Sequence, residues 1–235
     1  MDHIYSIVER RLVPFPFLGT RFRPNLIKHI GEGTYGHVYS LGQNEDYAAK
    51  FQLHSDGSGF DFIPGNGTMD IVMNSFEKEV QFQIKASLNG ISPVVYNDWT
   101  EEYNTIWGKG EHDVLIMDKL HETIIDVCRK DLTYNDVNLL HVIDNMHSIN
   151  IFHGDLHSAN IMRKSTGEPM IIDFGKSKTM PEGDEERKWC ILHDLLNLFS
   201  TLPNKSSLKM SIKERASRLG TRALGMDFDF SIYNN

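Results

Sequence analysis

Segments typical of strands fill most of the first half of this sequence, and segments typical of helices fill most of the second half. Before residue 120, short apolar runs alternate with glycine-rich or polar turns, as in KHIGEGTYGHVYSLG and DYAAKFQL. After it, 131–150 and 185–202 repeat apolar residues at helical spacing. This order predicts an α+β fold with a β-rich lobe at 28–119 and a helical lobe at 120–235, preceded by an N-terminal extension at 1–27.

Composition and charge narrow the classes of function. Of the 235 residues, 40% are hydrophobic, which is enough apolar material for a core. The formal net charge of -8 argues against binding nucleic acid through bulk charge, so an anionic ligand would need a local site. The two cysteines, Cys128 and Cys190, are too few for a disulfide scaffold and favour a reducing compartment. Without a secretory signal or an 18-residue apolar window, we expect a cytoplasmic protein that does not span a membrane.

A glycine-rich turn lies near the start of the β-rich segment. GEGTYGHVY places Gly31, Gly33 and Gly36 at G-x-G-x-x-G spacing, which occurs in ordinary tight turns and also where backbone approaches phosphate. A dinucleotide-binding fold needs a helix after the turn and an acidic residue about 20 residues on. Here a strand containing Val38 follows, and Lys50 comes 19 residues after Gly31. The pattern favours a hairpin covering the phosphates of ATP, with a lysine on the next strand.

The stretch FHGDLHSANIM, at 152–162, concentrates polar groups between apolar residues. Its His, Asp and Asn side chains allow three interpretations: a metal-ligand cluster, a nucleophile with its base, or a loop that holds a phosphate donor. MIIDFG follows and places Asp173 13 residues after Asn160. Phosphoryl transfer needs one carboxylate to orient the acceptor hydroxyl, and a second carboxylate and an amide oxygen to hold Mg²⁺. Asp155, Asp173 and Asn160 supply these groups.

These segments, in this order, resemble the protein-kinase superfamily over about residues 28–201. The resemblance implies a bilobal kinase-like fold that binds ATP and Mg²⁺. It also implies that Asp155 is the catalytic base, that Asn160 and Asp173 hold the metal, and that His153 is structural. Asp194 resembles the buried aspartate that braces the family's catalytic loop.

The resemblance also implies a nucleotide site in the β-rich lobe. Lys50 would bind phosphates, with Glu79 on a helix predicted at 71–88 as its carboxylate partner and Glu77 as the alternative. Met117 resembles the gatekeeper residue, and the backbone of 118–120 would meet adenine. The nucleotide-binding residues expected on this basis are Gly31, Gly33, Gly36, Val38, Ala48, Lys50, Met117, Asp118 and Leu120.

Four departures from the family pattern suggest a minimal kinase. Gly154 replaces the arginine that in this family usually pairs with a phosphorylated residue of the activation loop, which argues against control by loop phosphorylation. His157 replaces a lysine that serine/threonine kinases place near the transferred phosphate. The activation segment is short, and about 34 residues follow the helix that ends near Thr201. Such trimming resembles bacterial effector kinases and kinases of large DNA viruses. It resembles the small kinase of the tRNA-modification complex less well, because this chain ends in an acidic segment.

The sequence therefore predicts ATP-dependent phosphoryl transfer to a protein Ser/Thr hydroxyl, without control by loop phosphorylation. The expected partners are a protein substrate, with a host protein among the candidates, and an activating protein. Host cytoplasm is then an alternative location. A small-molecule phosphotransferase of the aminoglycoside or choline kinase type shares the HGDLH loop and is the main alternative. A nucleotide-binding pseudokinase is less favoured, because Lys50, Asp155, Asn160 and Asp173 are all present.

Overall fold

The computed structural model of the chain describes most residues from 26 onward. The described residues are 26–33, 36–41, 46–53, 74–105, 108–129, 136–204, 206–220 and 230. The predicted N-terminal extension lies outside them except for its last two residues. The architecture is mixed α+β, with a five-stranded antiparallel sheet and, in these residues, five α-helices.

The chain divides into two compact units. The sheet unit comprises Met1–Ser55 and Val94–Lys119, and the helical unit comprises Asp56–Pro93 and Leu120–Asn235. The division after residue 119 falls where the sequence predicts the change from strands to helices. However, the helix predicted at 71–88 belongs to the helical unit, because its flanks bond there. Asn74 N–H donates to the carbonyl of Gly175 at 2.7 Å, and Ile171 N–H donates to that of Ile91 at 2.8 Å.

The sheet unit contains five strands. They are β1 (Leu26–Gly33), β2 (Gly36–Leu41), β3 (Tyr47–Leu53), β4 (Val95–Thr105) and β5 (Gly108–Asp118), paired in the order β1-β2-β3-β5-β4. β-Branched and aromatic side chains, which favour extended backbone, are frequent in β4 and at the end of β5. One face buries an apolar cluster that includes Leu41, Ala49, Val114 and Ile116.

The helical unit contains five described helices and several short strands. The helices are α1 (Phe76–Ser87), α2 (Ile124–Arg129), α3 (Asp136–Ser148), α4 (Asp184–Thr201) and α5 (Ser207–Leu219). The strands are β6 (Glu122–Thr123), β7 (Ile151–Phe152), β8 (Ile161–Arg163), β9 (Pro169–Ile171) and β10 (Lys178–Thr179). β6, β8 and β9 form one small sheet, and β10 pairs with β7.

The core of the helical unit forms along apolar stripes on α3, α4 and α5. Buried side chains recur three or four residues apart on each helix, which is the spacing of one helical face. They include Leu139, Ile143, Met146, Leu192, Leu195, Leu198, Leu208, Ile212 and Ala216. Burying each of the larger side chains contributes about 2 kcal/mol.

The ends of α4 follow local sequence signals. Three acidic residues, 184–186, occupy its first turn, where they interact favourably with the helix dipole. Pro203 comes two residues after its last residue, Thr201, and disfavours helical backbone at Leu202. The observed bounds differ by one residue from the predicted 185–202. The start of the helix predicted at 131–150 lies outside the described residues, as do the first three residues of 71–88.

Within the described ranges, no helix is both long and apolar enough to cross a lipid bilayer.

Candidate functional site

The predicted catalytic loop, 153–160, is held by a buried aspartate of α4. The Asp194 carboxylate is fully buried and accepts hydrogen bonds from the backbone N–H groups of His153 (3.1 Å) and Gly154 (3.0 Å). It also lies 3.0 Å from Nε2 of His147 on α3. We call these contacts the Asp194 brace. One carboxylate thereby joins the loop to two helices, in the role that the sequence predicted for Asp194.

The Asp194 carboxyl is ionised at neutral pH although it is buried. Burial acts to raise its pKa, but the hydrogen bond from His147 and the neighbouring imidazoles outweigh burial and lower the pKa to about 2. The two backbone N–H donors act in the same direction, because they stabilise the charged form. Nδ1 of His193 is 3.9 Å from the carboxylate, which is beyond hydrogen-bond distance, so His147 is the side chain that matters most.

His153 is a buried, neutral histidine with a defined tautomer. Its Nε2 lies 3.1 Å from the carbonyl oxygen of Ile172, and its Nδ1 accepts a hydrogen bond from Asp155 N–H at 3.3 Å. Because a carbonyl oxygen only accepts, Nε2 carries the proton. Burial lowers the pKa of His153 and outweighs the nearby aspartates, which act to raise it. Both ring nitrogens are occupied by backbone, so His153 has a structural role and is not a metal ligand.

A second contact fixes the far end of the loop to α4. Residues 158–160 form one turn of 3₁₀-helix. Ser158 N–H donates to Oγ1 of Thr201 at 2.9 Å, and Ser158 Oγ donates to the carbonyl of Thr201 at 3.1 Å. Asp194 and Thr201 are seven residues apart, so they lie on one face of α4, two turns apart. One helix face therefore holds both ends of the loop.

Gly154 is required by packing within the helical unit. Its backbone has a φ of 77°, a conformation that favours glycine. A Cβ atom built at Gly154 would lie 2.6 Å from the backbone oxygen of Lys176. Ser177 Oγ donates to the carbonyl of His153 at 3.2 Å. The loop and the segment after Asp173 thus pack backbone against backbone, which leaves no room for the arginine of the family pattern.

A hairpin brings the two predicted metal ligands together. β8 begins directly after Asn160, β9 ends two residues before Asp173, and the strands pair antiparallel with Ile161 opposite Ile171. The backbone carbonyl of Asn160 accepts a hydrogen bond from Ile172 N–H at 3.0 Å. Asn160 Nδ2 donates to the carbonyl of Asp155 at 3.0 Å, which identifies the amide nitrogen and leaves Oδ1 as the oxygen a metal would use.

Asp173 has backbone geometry typical of a functional position. Its φ of 65° lies in the left-handed region, which few residues other than glycine adopt without constraint from their surroundings. Asn74, just before α1, supplies part of that constraint. Its Nδ2 donates to the carbonyls of Phe174 (3.1 Å) and Ser177 (2.8 Å), and its own N–H donates to that of Gly175. The turn after Asp173 is therefore anchored at three carbonyls by a single side chain and its backbone.

Asp155 projects from the loop and is partly exposed. Its Oδ2 forms a 2.8 Å ion pair with Nζ of Lys176, and each side chain retains 31% of its accessible surface. His157, which replaces the lysine of the family pattern, is used locally: its Nδ1 accepts a hydrogen bond from Ala159 N–H at 3.2 Å. The cation beside Asp155 is therefore Lys176, which sequence analysis did not select.

Strand register places four of the predicted nucleotide-binding residues of the sheet unit on one face. Val38 lies opposite Lys50, and Ala48 lies opposite Met117. Because side chains alternate along a strand, these four share the face opposite the buried apolar cluster. Gly31 lies opposite Val38, and a Cβ atom built there meets no described atom within 4 Å. No packing contact in the described residues therefore accounts for a glycine at this position.

The other residues predicted to bind nucleotide are Gly33, Gly36 and the segment 118–120, whose backbone was expected to contact adenine. Gly33 ends β1 opposite Gly36 at the start of β2, and the two residues between them lie outside the described set. Asp118 N–H donates to the carbonyl of Val94 at 3.1 Å, so this donor is already used within the sheet unit. Leu120 is buried and begins the helical unit.

The two candidate carboxylates on α1 have different environments. Glu79 is buried, with 3% of its surface exposed, whereas Glu77 is exposed and accepts a hydrogen bond from Gln81 at 3.5 Å. A buried carboxylate needs compensating charge or hydrogen bonds, so burial favours Glu79 over Glu77 as the group with a specific partner.

The donor set fits Mg²⁺ better than a metal bound entirely by protein. Asn160 and Asp173 offer two oxygen ligands, and Mg²⁺ commonly takes its other ligands from water and substrate phosphates. In the part of the chain that the structure describes, no three His, Cys, Asp or Glu side chains cluster to hold a metal. The metal-cluster interpretation of 152–162 therefore has no support in this geometry.

Comparison with known proteins adds no assignment: neither a protein-family model nor a curated protein matches this chain.

Proposed function

We propose that this protein has a bilobal kinase-like fold and is an ATP- and Mg²⁺-dependent serine/threonine protein kinase. One observation carries the proposal. Asn160 donates to the carbonyl of Asp155 and accepts from the backbone of Ile172, which precedes Asp173. The proposed base and the proposed metal ligands thus lie on two segments of one compact unit that are hydrogen-bonded to each other, and one of these segments is the loop braced by Asp194.

Asp155 is the proposed base. Its Oδ2 forms the ion pair with Lys176, and its Oδ1 has no hydrogen bond within the described residues. Oδ1 is therefore available to accept a hydrogen bond from an acceptor hydroxyl. As the hydroxyl oxygen bonds to the γ-phosphorus and the bond to ADP breaks, the hydroxyl proton passes to Asp155. The buried brace contributes by fixing the loop backbone, because a displacement of 1 Å is enough to slow such a reaction.

Asn160 and Asp173 would hold Mg²⁺ through Oδ1 and carboxylate oxygens. When bound, the metal neutralises charge on the phosphates of ATP. Lys50 keeps the proposed role of phosphate-binding lysine, with Glu79 as its carboxylate partner. Val38, Ala48 and Met117 would contact the nucleotide base, because they share the sheet face of Lys50.

Lys176 adds a role that the sequence did not assign. Its ammonium group lies 2.8 Å from Oδ2 of Asp155, so it would be close to an acceptor hydroxyl bound at Oδ1 of the same carboxylate. A positive charge there would stabilise negative charge on that group. His157 cannot supply it in this conformation, because its ring caps the 3₁₀ turn. Lys176 is therefore proposed as the cation that the altered loop lacks.

The test is phosphoryl transfer from labelled ATP by the wild type and by Asp155→Ala. Each is incubated with Mg²⁺ and either a cell lysate or a panel of small alcohols and amines. We expect discrete labelled proteins with the wild type and none with the variant. Asp184→Ala, which removes an exposed carboxylate at the start of α4, is the matched control and should label the same proteins.

Two other results would redirect the proposal. Label transferred only to a small alcohol or amine would favour the small-molecule phosphotransferase. Nucleotide binding without transfer to either class would favour the pseudokinase. A binding measurement separates the roles further: Asp173→Asn should greatly weaken Mg²⁺-dependent nucleotide binding, whereas Asp155→Ala should leave it nearly unchanged. Equal weakening by both substitutions would contradict the assignment of base and metal ligand.

Control without loop phosphorylation is part of the same proposal. Gly154 is held against the backbone of Lys176, and Asn74 anchors the turn after Asp173, so the segment is ordered by neutral hydrogen bonds. Phosphatase treatment should therefore leave activity unchanged. A protein substrate, an activating protein and a cytoplasmic location, including host cytoplasm, stay predictions of the proposed function.

A further inference from the structure

The turn that follows Asp173 is held by a residue far away in the sequence. Asn74 lies two residues before the start of α1, belongs to the helical unit and is buried. Its side-chain Nδ2 donates to the carbonyls of Phe174 at 3.1 Å and Ser177 at 2.8 Å. Its backbone N–H donates to the carbonyl of Gly175 at 2.7 Å. One residue thus binds three carbonyl groups of the same turn.

Asparagine is specifically suited to this arrangement. Carbonyl oxygens accept hydrogen bonds and do not donate them, so the Asn74 amide presents its nitrogen to the turn, and both of its hydrogens are used. Aspartate has the same shape but no N–H group, and serine has a single donor. The contact therefore depends on the chemistry of this side chain and not only on its size.

The same turn also contacts the predicted catalytic loop. Ser177 is fully buried, and its Oγ donates to the carbonyl of His153 at 3.2 Å. Ser177 N–H donates to the carbonyl of Phe174 at 3.0 Å, which closes the turn internally. The turn is therefore held between the segment before α1, through Asn74, and the catalytic loop, through Ser177.

The hydrogen bonds from Asn74 begin at the residue directly after Asp173. Asp173 has a φ of 65°, which an aspartate keeps only where its surroundings impose it. A turn released from Asn74 would let this backbone relax toward a negative φ, and the carboxylate would then point in a different direction. Mg²⁺ demands near-ideal octahedral geometry, so a displaced carboxylate would bind it less tightly.

We infer that Asn74 is a positioning residue for the proposed metal ligand Asp173. It holds the backbone of the turn so that the carboxylate keeps the orientation in which it binds Mg²⁺. The inference rests on the proposed function, in which Asp173 is a metal ligand, and it adds a residue that lies outside both the catalytic loop and the turn. Loss of Asn74 should therefore raise the requirement for Mg²⁺.

The experiment measures ADP binding by calorimetry, and phosphoryl transfer, at increasing concentrations of Mg²⁺. For Asn74→Ala, the Mg²⁺ concentration that gives half-maximal ADP binding should rise roughly tenfold, which is the effect of about one lost hydrogen bond. Transfer should largely recover at saturating Mg²⁺, because base and acceptor are unchanged. A role in folding alone would lower the fraction of active protein without moving this concentration.

Two further variants test the hydrogen bonds themselves. Asn74→Asp keeps the shape but has no donor, and its carboxylate is repelled by the carbonyl oxygens of the turn, so it should shift the Mg²⁺ requirement at least as far as alanine does. Asn74→Ser keeps one donor and should give an intermediate shift. The serine variant also provides the measurement if the other two do not fold.

The matched control is Ser92→Ala, which acts beyond the other end of α1. Ser92 is buried, and its Oγ donates to the carbonyl of Gln83 at 2.9 Å. Its loss should lower the urea midpoint but leave the Mg²⁺ requirement unchanged. An unaltered requirement in the Asn74 variants, or an equal shift in Ser92→Ala, would overturn the inference alone. If the wild type binds ADP without regard to Mg²⁺, the proposed function fails together with the inference.

Discussion

Asp155 and Asp194 show two ways of placing an aspartate in the same 40-residue region. Asp194 is fully buried, and its carboxylate interacts with His147 and two backbone N–H groups. Asp155 is partly exposed, and its side chain makes one ion pair, with Lys176. The Asp194 carboxylate is fixed by several hydrogen bonds, whereas Asp155 has one carboxylate oxygen that can still bind an incoming group.

The difference separates structural from chemical roles. Burial with several donors stabilises the fold and holds the loop, so substitution of Asp194 should act mainly on stability. A partly exposed ion pair such as that between Asp155 and Lys176 contributes little to stability, because solvent screens the charges. Substitution of Asp155 should therefore act mainly on chemistry.

Asp155→Asn should lower phosphoryl transfer by about 10²- to 10⁴-fold, because the amide cannot accept the hydroxyl proton. The free energy of unfolding, measured by urea denaturation, should change by less than about 1 kcal/mol. If transfer persists at the wild-type rate, Asp155 is not the base. If the variant instead unfolds, the contrast with Asp194 fails.

Asp194→Ala should lower the free energy of unfolding by about 3 kcal/mol, because it leaves His147 and two buried N–H groups unsatisfied. Urea denaturation followed by circular dichroism measures this. Asp144→Ala, at a partly exposed ion pair, is the control and should cost less than about 1 kcal/mol. Similar losses for both variants would show that the brace is no stronger than a surface contact.

Gly154→Ala should lower the free energy of unfolding by roughly 2 kcal/mol, because the new Cβ atom meets the Lys176 carbonyl at a positive φ. Gly167→Ala separates the two causes. Its φ of 90° is also unfavourable for alanine, but nothing lies within 4 Å of the added Cβ atom. A smaller loss at Gly167 is expected, and an equal loss would assign the effect at Gly154 to backbone conformation alone.

Acid should remove part of the stability that Asp194 contributes. The pKa of this carboxyl falls from 3.8 to about 2 on folding, so its contribution is fully present above about pH 4 and is lost as pH falls through 2. This contribution is roughly 2 kcal/mol. Unfolding free energies between pH 6 and pH 2 should decrease more steeply for the wild type than for Asp194→Asn. Parallel curves would mean that the group titrates alike in both states.

Lys176→Ala should lower phosphoryl transfer roughly tenfold and leave stability within about 0.5 kcal/mol, because its ion pair is partly exposed. Lys176→Arg should retain more activity than the alanine variant, since it keeps the charge. Lys164→Ala, which removes a partly exposed lysine paired with Glu168, is the control and should be fully active. Undiminished transfer by Lys176→Ala would remove this residue from the proposed site.

Local pattern was enough to locate much of the candidate site. The 13-residue spacing between Asn160 and Asp173 corresponds to the β8–β9 hairpin, in which the strands and turn account for the intervening chain. The α4 helix, Asp184–Thr201, lies within one residue of the segment 185–202 that its apolar spacing indicates. Such features involve neighbours in sequence, so propensity and periodicity are informative about them.

Contacts between distant residues were not accessible in this way. Asn74 hydrogen-bonds the carbonyl of Ser177, 103 residues away, and Ser158 bonds to Thr201, 43 residues away. Polar residues at such positions are common in loops and helix ends, so no periodicity distinguishes them. One feature of the sequence could have identified Lys176. It is a basic residue directly after DFG, in a chain that has His157 where the family pattern has a lysine.

Residue types and short spacings were sufficient to infer the α+β class, the position where strands give way to helices, and the acidic and amide residues of the proposed chemistry. Three features became visible only in the folded chain. Gly154 is required by the Lys176 carbonyl, Lys176 rather than His157 pairs with Asp155, and α1 belongs with the helical unit. Each of these depends on which distant atoms come within a few ångströms, and packing, unlike propensity, is a property of the whole chain.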